Sequence, residues 1–190
     1  MKLAANWIWS DDSDGRGYNL CSVFRRDFRL ETLPEEAVLR ITADSAYRLR
    51  INGQWLSDGP CRAWPEHYRC DRIDLAGALR CGVNRIEAEV RYFGCGTFHQ
   101  LPQRAGFLAQ LDCGDLRIVT DESWSAAPLA QWVENTVKSS CQQSPLEIFD
   151  ATKPDAPWRP ASIVAPAEGG PWRDLQERDC PPVPRTTTHG

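Results

Sequence analysis

The dipeptide Asn52-Gly53 constrains this chain more tightly than any other pair of residues. It follows Tyr47-Arg48-Leu49-Arg50-Ile51, where apolar and charged side chains alternate, and precedes Gln54-Trp55-Leu56. A period of two sends alternate side chains to opposite faces of a strand. Asn and Gly both tolerate the positive φ that the centre of a type I′ turn demands, so the pattern predicts a hairpin closed at these two residues. The alternation recurs on either side. Leu39, Ile41 and Ala43 alternate with Arg40, Thr42 and Asp44, and Ile86, Ala88, Val90 and Tyr92 alternate with Arg85, Glu87, Glu89 and Arg91. A second hairpin is predicted where Phe107 to Leu111 and Leu116 to Val119 flank Asp112-Cys113-Gly114-Asp115. Helical periodicity is confined to one possible turn at Asp74 to Leu79, with Asp74 as its cap. Many short strands joined by turn residues predict an all-β fold, an antiparallel β-sandwich or jelly roll.

A chain of 190 residues can bury roughly 70% of its unfolded surface, enough for one self-sufficient domain. The expected division is an N-terminal extension or edge strand over residues 1–19, a sandwich over 20–178 and a Pro-rich tail or linker over 179–190. From about residue 142 the chain is rich in Pro, Asp and Trp, a composition that wraps or links more than it forms a core. Trp7, Trp9, Trp124, Trp158 and Trp172 stand in apolar or turn contexts and are expected in the core.

The net charge of −4 shows no basic excess and argues against nucleic acid as a partner. No apolar run approaches the roughly 18 residues of a membrane span. Trp7-Ile8-Trp9 runs straight into Asp11 and Asp12, unlike a signal-peptide core, so a cytoplasmic location is expected. None of the eight cysteines forms a C-x-x-C pair, which disfavours a zinc ribbon. Most are expected to be small buried apolar residues, with disulfides as the alternative reading.

The segment from Arg40 to Gly94 carries an ordered series of motifs: Ala-Asp-Ser-Ala-Tyr-Arg-Leu-Arg-Ile-Asn-Gly at 43–53, Asp-Gly-Pro-Cys-Arg at 58–62, a Tyr68 to Leu75 step and Gly-Val-Asn-Arg-Ile at 82–86. In this order they resemble the N-terminal β-sandwich of bacterial α-L-rhamnosidases, over roughly residues 20 to 185. In the step, Arg69 and Cys70 separate Tyr68 from Asp71, a slight departure from the family pattern. The resemblance implies a galactose-binding-like sandwich without catalytic residues, serving a separate catalytic domain. It also implies a linker-like role for the tail from Pro181 to Arg185. Such sandwiches often hold a structural calcium, but no calcium-loop motif supports one here, so no cofactor is expected.

Two loops mix aromatic rings with planar polar side chains, the mixture that sugars require: ring faces for C–H groups and bidentate partners for hydroxyls. One runs from Trp64 to Arg69 and offers Trp64, Glu66, His67, Tyr68 and Arg69. The other runs from Arg91 to Arg104 and offers Tyr92, Phe98, His99, Gln100, Gln103 and Arg104; Trp55 lies just past the Asn-Gly turn. These residues are the candidates for contact with carbohydrate or with an adjacent catalytic domain. Plain packing is the competing reading, with Trp64 and Phe98 as lids over the core and Glu66 paired with Arg69. Two further functional readings stand beside the accessory domain: an independent carbohydrate-binding module, and an interaction sandwich with no ligand. No catalytic residue is assigned.

Overall fold

The computed structural model describes residues 1–11, 15–98, 100–101 and 103–182. Two sheets face one another. The first has strand order β12-β1-β8-β3-β6-β13, with β9 added beside β8. The second runs β11-β10-β2-β7-β4-β5. Their strands are β1 Asn6–Trp9, β2 Leu20–Leu30, β3 Ala37–Asp44, β4 Ala46–Ile51, β5 Gln54–Gly59, β6 Arg69–Asp74, β7 Gly82–Tyr92, β8 Gly106–Cys113, β9 Leu116–Val119, β10 Ser125–Pro128, β11 Arg159–Pro160, β12 Ser162–Pro166 and β13 Gln176–Glu177. Pairing is antiparallel except between β13 and β6.

The predicted hairpins form. Asn52 and Gly53 have φ of 53° and 81° and join β4 to β5, as a type I′ turn requires. Gly114 turns β8 into β9. The helical signal resolves to a single 3-10 turn at Ala76–Ala78, and Asp74 Oδ1 accepts the Ala76 N–H at 2.9 Å. No helix among the described residues is long and apolar enough to cross a membrane.

The period-two residues line the space between the sheets. Leu49, Ile86, Ala88 and Val90 from one sheet meet Leu39, Ile41, Phe107 and Leu111 from the other. Phe24 stacks on Phe107 at 5.0 Å, and Trp124 meets Phe107 edge-on at 5.5 Å. Each large side chain removed from water here contributes about 1.5–3 kcal/mol before chain entropy is subtracted.

The chain ends depart from expectation. The strand at Asn6–Trp9 does not lie at an edge; it sits between β12 and β8. The Pro-rich C-terminal segment does form core, for it supplies β12 and Trp172. A second apolar cluster lies on the outer side of the β12-to-β13 sheet and joins Trp7, Tyr68, Leu108, Ala165, Trp172 and Leu175. Trp172 stacks on Trp7 with ring centroids 3.9 Å apart. Gly106 makes room for this stack: a Cβ there would come within 2.8 Å of the Trp172 ring. Of the five tryptophans expected in the core, Trp158 is instead 39% exposed; it lies outside the core, with the Arg25 guanidinium 4.0 Å over its ring. All eight cysteines are free thiols, and of these only Cys70 and Cys113 are buried.

Candidate functional site

The outer face of the second sheet carries the polar half of the alternating pattern. Arg25 pairs with Glu87, Arg50 with Glu89 and Arg85 with Asp27 across neighbouring strands. Such pairs satisfy an open sheet face without closing it.

Residues 129–149 cross one end of this face as an arm. It has little regular structure and is held by polar contacts. Leu129 N–H donates to the Cys21 carbonyl at 2.8 Å, and Asn19 Nδ2 donates to the Val133 carbonyl at 2.9 Å. The Arg91 guanidinium donates to Glu147 and to the Pro145 carbonyl, each at 2.6 Å. Lys138 Nζ reaches the Gly96 carbonyl at 2.6 Å. Trp132 meets Phe149 edge-on at 5.3 Å.

Between arm and sheet lies a cleft of about 300 Å³, lined by Tyr47, Arg48, Asp58, Arg91, Phe93 and Trp132. It opens past Arg91, Phe93 and Glu147 into a wider, shallower hollow that reaches Arg62, Phe98, Gln100 and Gln142. A small side recess between Arg62, Trp64, Phe98 and Leu101 adjoins it. Small-molecule sites usually occupy roughly 300–1,000 Å³, so the cleft is large enough to hold one.

The arrangement suits binding better than bond cleavage. Hydrolysis of a glycoside calls for two carboxyls flanking the bond, one held protonated. In the cleft, Asp58 accepts from Arg48, Glu89 from Arg50 and Glu147 from Arg91. The carboxyls raised by burial lie elsewhere. Asp44 is pushed up to about 6 by burial, against hydrogen bonds from Trp172, Ser45 and Gln100. Asp71 is raised by burial, partly offset by the Tyr47 hydroxyl and Arg178. Both are closed off from solvent, at 0% and 3% exposure. Burial also pushes the Cys21 thiol at the cleft wall up to about 12, so it stays protonated and is a poor nucleophile.

The structure distributes the predicted site residues widely. Trp64, Phe98 and Gln100 come together at the recess. The two rings are 58% and 59% exposed and are not lids over the core. Gln100 is anchored beneath them, its amide nitrogen donating to Asp44 Oδ1 at 3.3 Å and to the Tyr68 hydroxyl at 3.0 Å.

Tyr68 and Tyr92 are core residues, 1% and 3% exposed, and present nothing to a ligand. Their hydroxyls donate inward, to the carbonyls of Ala43 and Gln103. Arg69 does not pair with Glu66: its guanidinium donates to Gln176 and Asp179 and ties β6 to the C-terminal segment. His67 is turned to Asp174 at 2.9 Å, and Glu66 is exposed nearby. Trp55 stands apart from the recess and donates to Asp58 at 2.9 Å. Gln103 and Arg104 are half-buried in the second loop. His99 lies outside the described residues, as do Pro102 and the tail from Val183.

The sequence reading missed Arg62, Trp132, Gln142 and Glu147. The arm that carries the last three has no periodicity to mark it. Arg62 carried a signal, since it closes the Asp-Gly-Pro-Cys-Arg motif two residues before Trp64.

Comparison with known proteins places this geometry. No protein-family profile matches the chain, and no curated protein sequence does either. Among solved structures, the GH78 family rhamnosidase of Bacillus sp. GL1 is similar over 96% of this chain, with 31% identity and a TM-score of 0.88. The match spans 20% of that enzyme. The α-L-rhamnosidase of Aspergillus terreus is similar over 94% of this chain and 23% of its own length, with 22% identity and a TM-score of 0.66. A lectin from Pleurotus ostreatus, solved with GalNAc, matches over 90% of this chain and 46% of its own, with 17% identity and a TM-score of 0.57. The last two show the fold alone. The chain thus has the β-sandwich fold of a domain found in GH78 rhamnosidases, and it spans about a fifth of their length.

Proposed function

We propose that this chain acts as a non-catalytic accessory domain of an α-L-rhamnosidase-type glycosidase, supporting a separate catalytic domain. The observation that carries this reading is the match at 31% identity along 96% of the chain to one fifth of the Bacillus sp. GL1 enzyme. Enclosed Asp44 and Asp71 and arginine-bound Asp58, Glu89 and Glu147 agree with a supporting role rather than a chemical one.

Grafting tests it. This chain, replacing the matched fifth of the Bacillus enzyme, should give a soluble enzyme that still releases rhamnose, whereas deleting the same segment should not. The isolated chain should release none. A graft as impaired as the deletion, made from partners that each fold, would overturn the proposal.

A second reading, that the chain itself contacts carbohydrate, is favoured by the open cleft beside Arg91, Phe93 and Trp132. The two readings are compatible, because an accessory domain can hold substrate near a neighbour's active site.

A further inference from the structure

The polar side chains around the cleft are not equally committed. Arg48 is paired with Asp58 at 3.4 Å, and Arg91 with Glu147 at 2.6 Å. Gln100 directs its amide nitrogen inward to Asp44 and Tyr68. Arg62 differs: it makes no ion pair or side-chain hydrogen bond to any described residue, yet it lines both the hollow and the side recess. Trp64 and Phe98, two rings more than half exposed, line the same recess. Gln142 lines the hollow nearby.

A solvated arginine alone would mean little. An unpaired guanidinium that shares the wall of a recess with two exposed rings is a more specific arrangement. The rings offer flat apolar surface to the C–H face of a pyranose. The guanidinium offers a planar fork of donors that fits a carboxylate better than a hydroxyl. A neutral sugar seated on these rings would desolvate Arg62 and leave it without a counter-charge, which is unfavourable. A uronic acid unit satisfies both demands at once.

Building on the carbohydrate-contact reading above, we infer that the recess formed by Arg62, Trp64 and Phe98 binds an acidic saccharide, with Arg62 pairing the uronate carboxylate and the two rings stacking on the sugar. The stretch from Arg62 to Phe93 and Trp132 then receives the neighbouring units of the chain.

The test is calorimetry and tryptophan fluorescence on the whole 190-residue chain, titrated with trigalacturonate, its methyl ester and maltotriose. The acid should bind saturably, and the ester and the neutral trisaccharide should bind at least about tenfold more weakly, as loss of a charge-assisted pair implies. Arg62→Gln should remove that preference, and Phe98→Ala should weaken acid and ester alike. Both side chains are exposed, so the variants should fold, and unchanged melting curves would confirm that they do. Equal binding of acid and ester, unchanged binding by Arg62→Gln, or no saturation with trigalacturonate would each overturn the inference. So would tighter binding of a hexaglutamate peptide, which would give the recess to an acidic protein segment instead. The rhamnosidase graft reads a different property: if it succeeds while trigalacturonate fails, the accessory role stands and the acidic-sugar site falls.

Discussion

The two outward faces of the sandwich are treated in opposite ways. Over the β12-to-β13 sheet the chain folds back on itself, sets Trp172 on Trp7 and seals Tyr68, Leu108 and Leu175 beneath them. A carboxyl group, Asp44, is enclosed with them and held by Trp172, Ser45 and Gln100. Over the other sheet the chain adds only an arm, pinned through carbonyls and one arginine, and leaves a cleft. One face has become a second core while the other remains a surface. The cleft therefore lies on the second face, and mutations on the two faces should behave differently.

The largest effect is expected at the centre of the closed face. Trp172 is fully buried, and cutting a buried tryptophan back to alanine costs roughly 3–5 kcal/mol. That is a large share of the 5–15 kcal/mol by which a domain is usually stable. Trp172→Ala also removes the 3.0 Å hydrogen bond to Asp44. Urea denaturation should show the loss, and a change under about 1 kcal/mol would mean that this face is a loose cover and not a core.

The second effect is a pH dependence that Asp44 brings to the same face. Burial lifts the Asp44 carboxyl from its ordinary 3.8 to about 6. A carboxyl harder to ionise folded than unfolded contributes stability that is fully present below pH 3.8 and is lost as pH rises through about 6. Two pKa units correspond to about 3 kcal/mol. Asp71 is raised in the same direction, and Asp27, Asp112, Asp150 and Asp174 are lowered, so the wild-type curve alone mixes several groups. Subtracting the curve of Asp44→Asn isolates one of them. The difference should fall across pH 4 to 6 and then level off; parallel curves would show that water reaches Asp44 and that the face is not sealed.

The open face was the more legible of the two in places, for a physical reason. Its strands alternate charged and apolar residues because one side meets water, so Arg85 to Tyr92 and Tyr47 to Ile51 announce both strand and register, and Asn52-Gly53 announces the turn. On the closed face the outward residues are apolar as well. Leu108 lies between Phe107 and Ala109, and nothing in that run says that two layers cover it. The second layer depends on Trp7 meeting Trp172 from the far end of the chain, a contact with no local signature. The same blindness explains Tyr68 and Trp64. Four residues apart in one aromatic loop, they look alike as sugar platforms, but Tyr68 turns into the second core and Trp64 stays in solvent. The arm was illegible because backbone carbonyls hold it, and carbonyls carry no sequence information. What betrays it is the arginine that reaches them.

That arginine sets the smallest and most discriminating comparison, between Arg91 and Arg48 on the open face. The Arg91 side chain is only 14% exposed and donates to Asn19, Glu147 and Pro145. Hydrogen bonds to a charged group contribute about 1.5–3 kcal/mol, so Arg91→Ala should destabilise the domain by about that much. The loss should be concentrated in the arm, where hydrogen exchange at Val133, Leu146 and Asp150 should quicken, because their amides bond within the arm. Arg48 holds Asp58 at 3.4 Å with both side chains about half exposed, and exposed pairs contribute at most about 1 kcal/mol. Arg48→Ala should leave both stability and arm exchange nearly unchanged. If the two variants instead behave alike, the arm is held by its own packing at Trp132 and Phe149, and the open face is more nearly a third core than a surface.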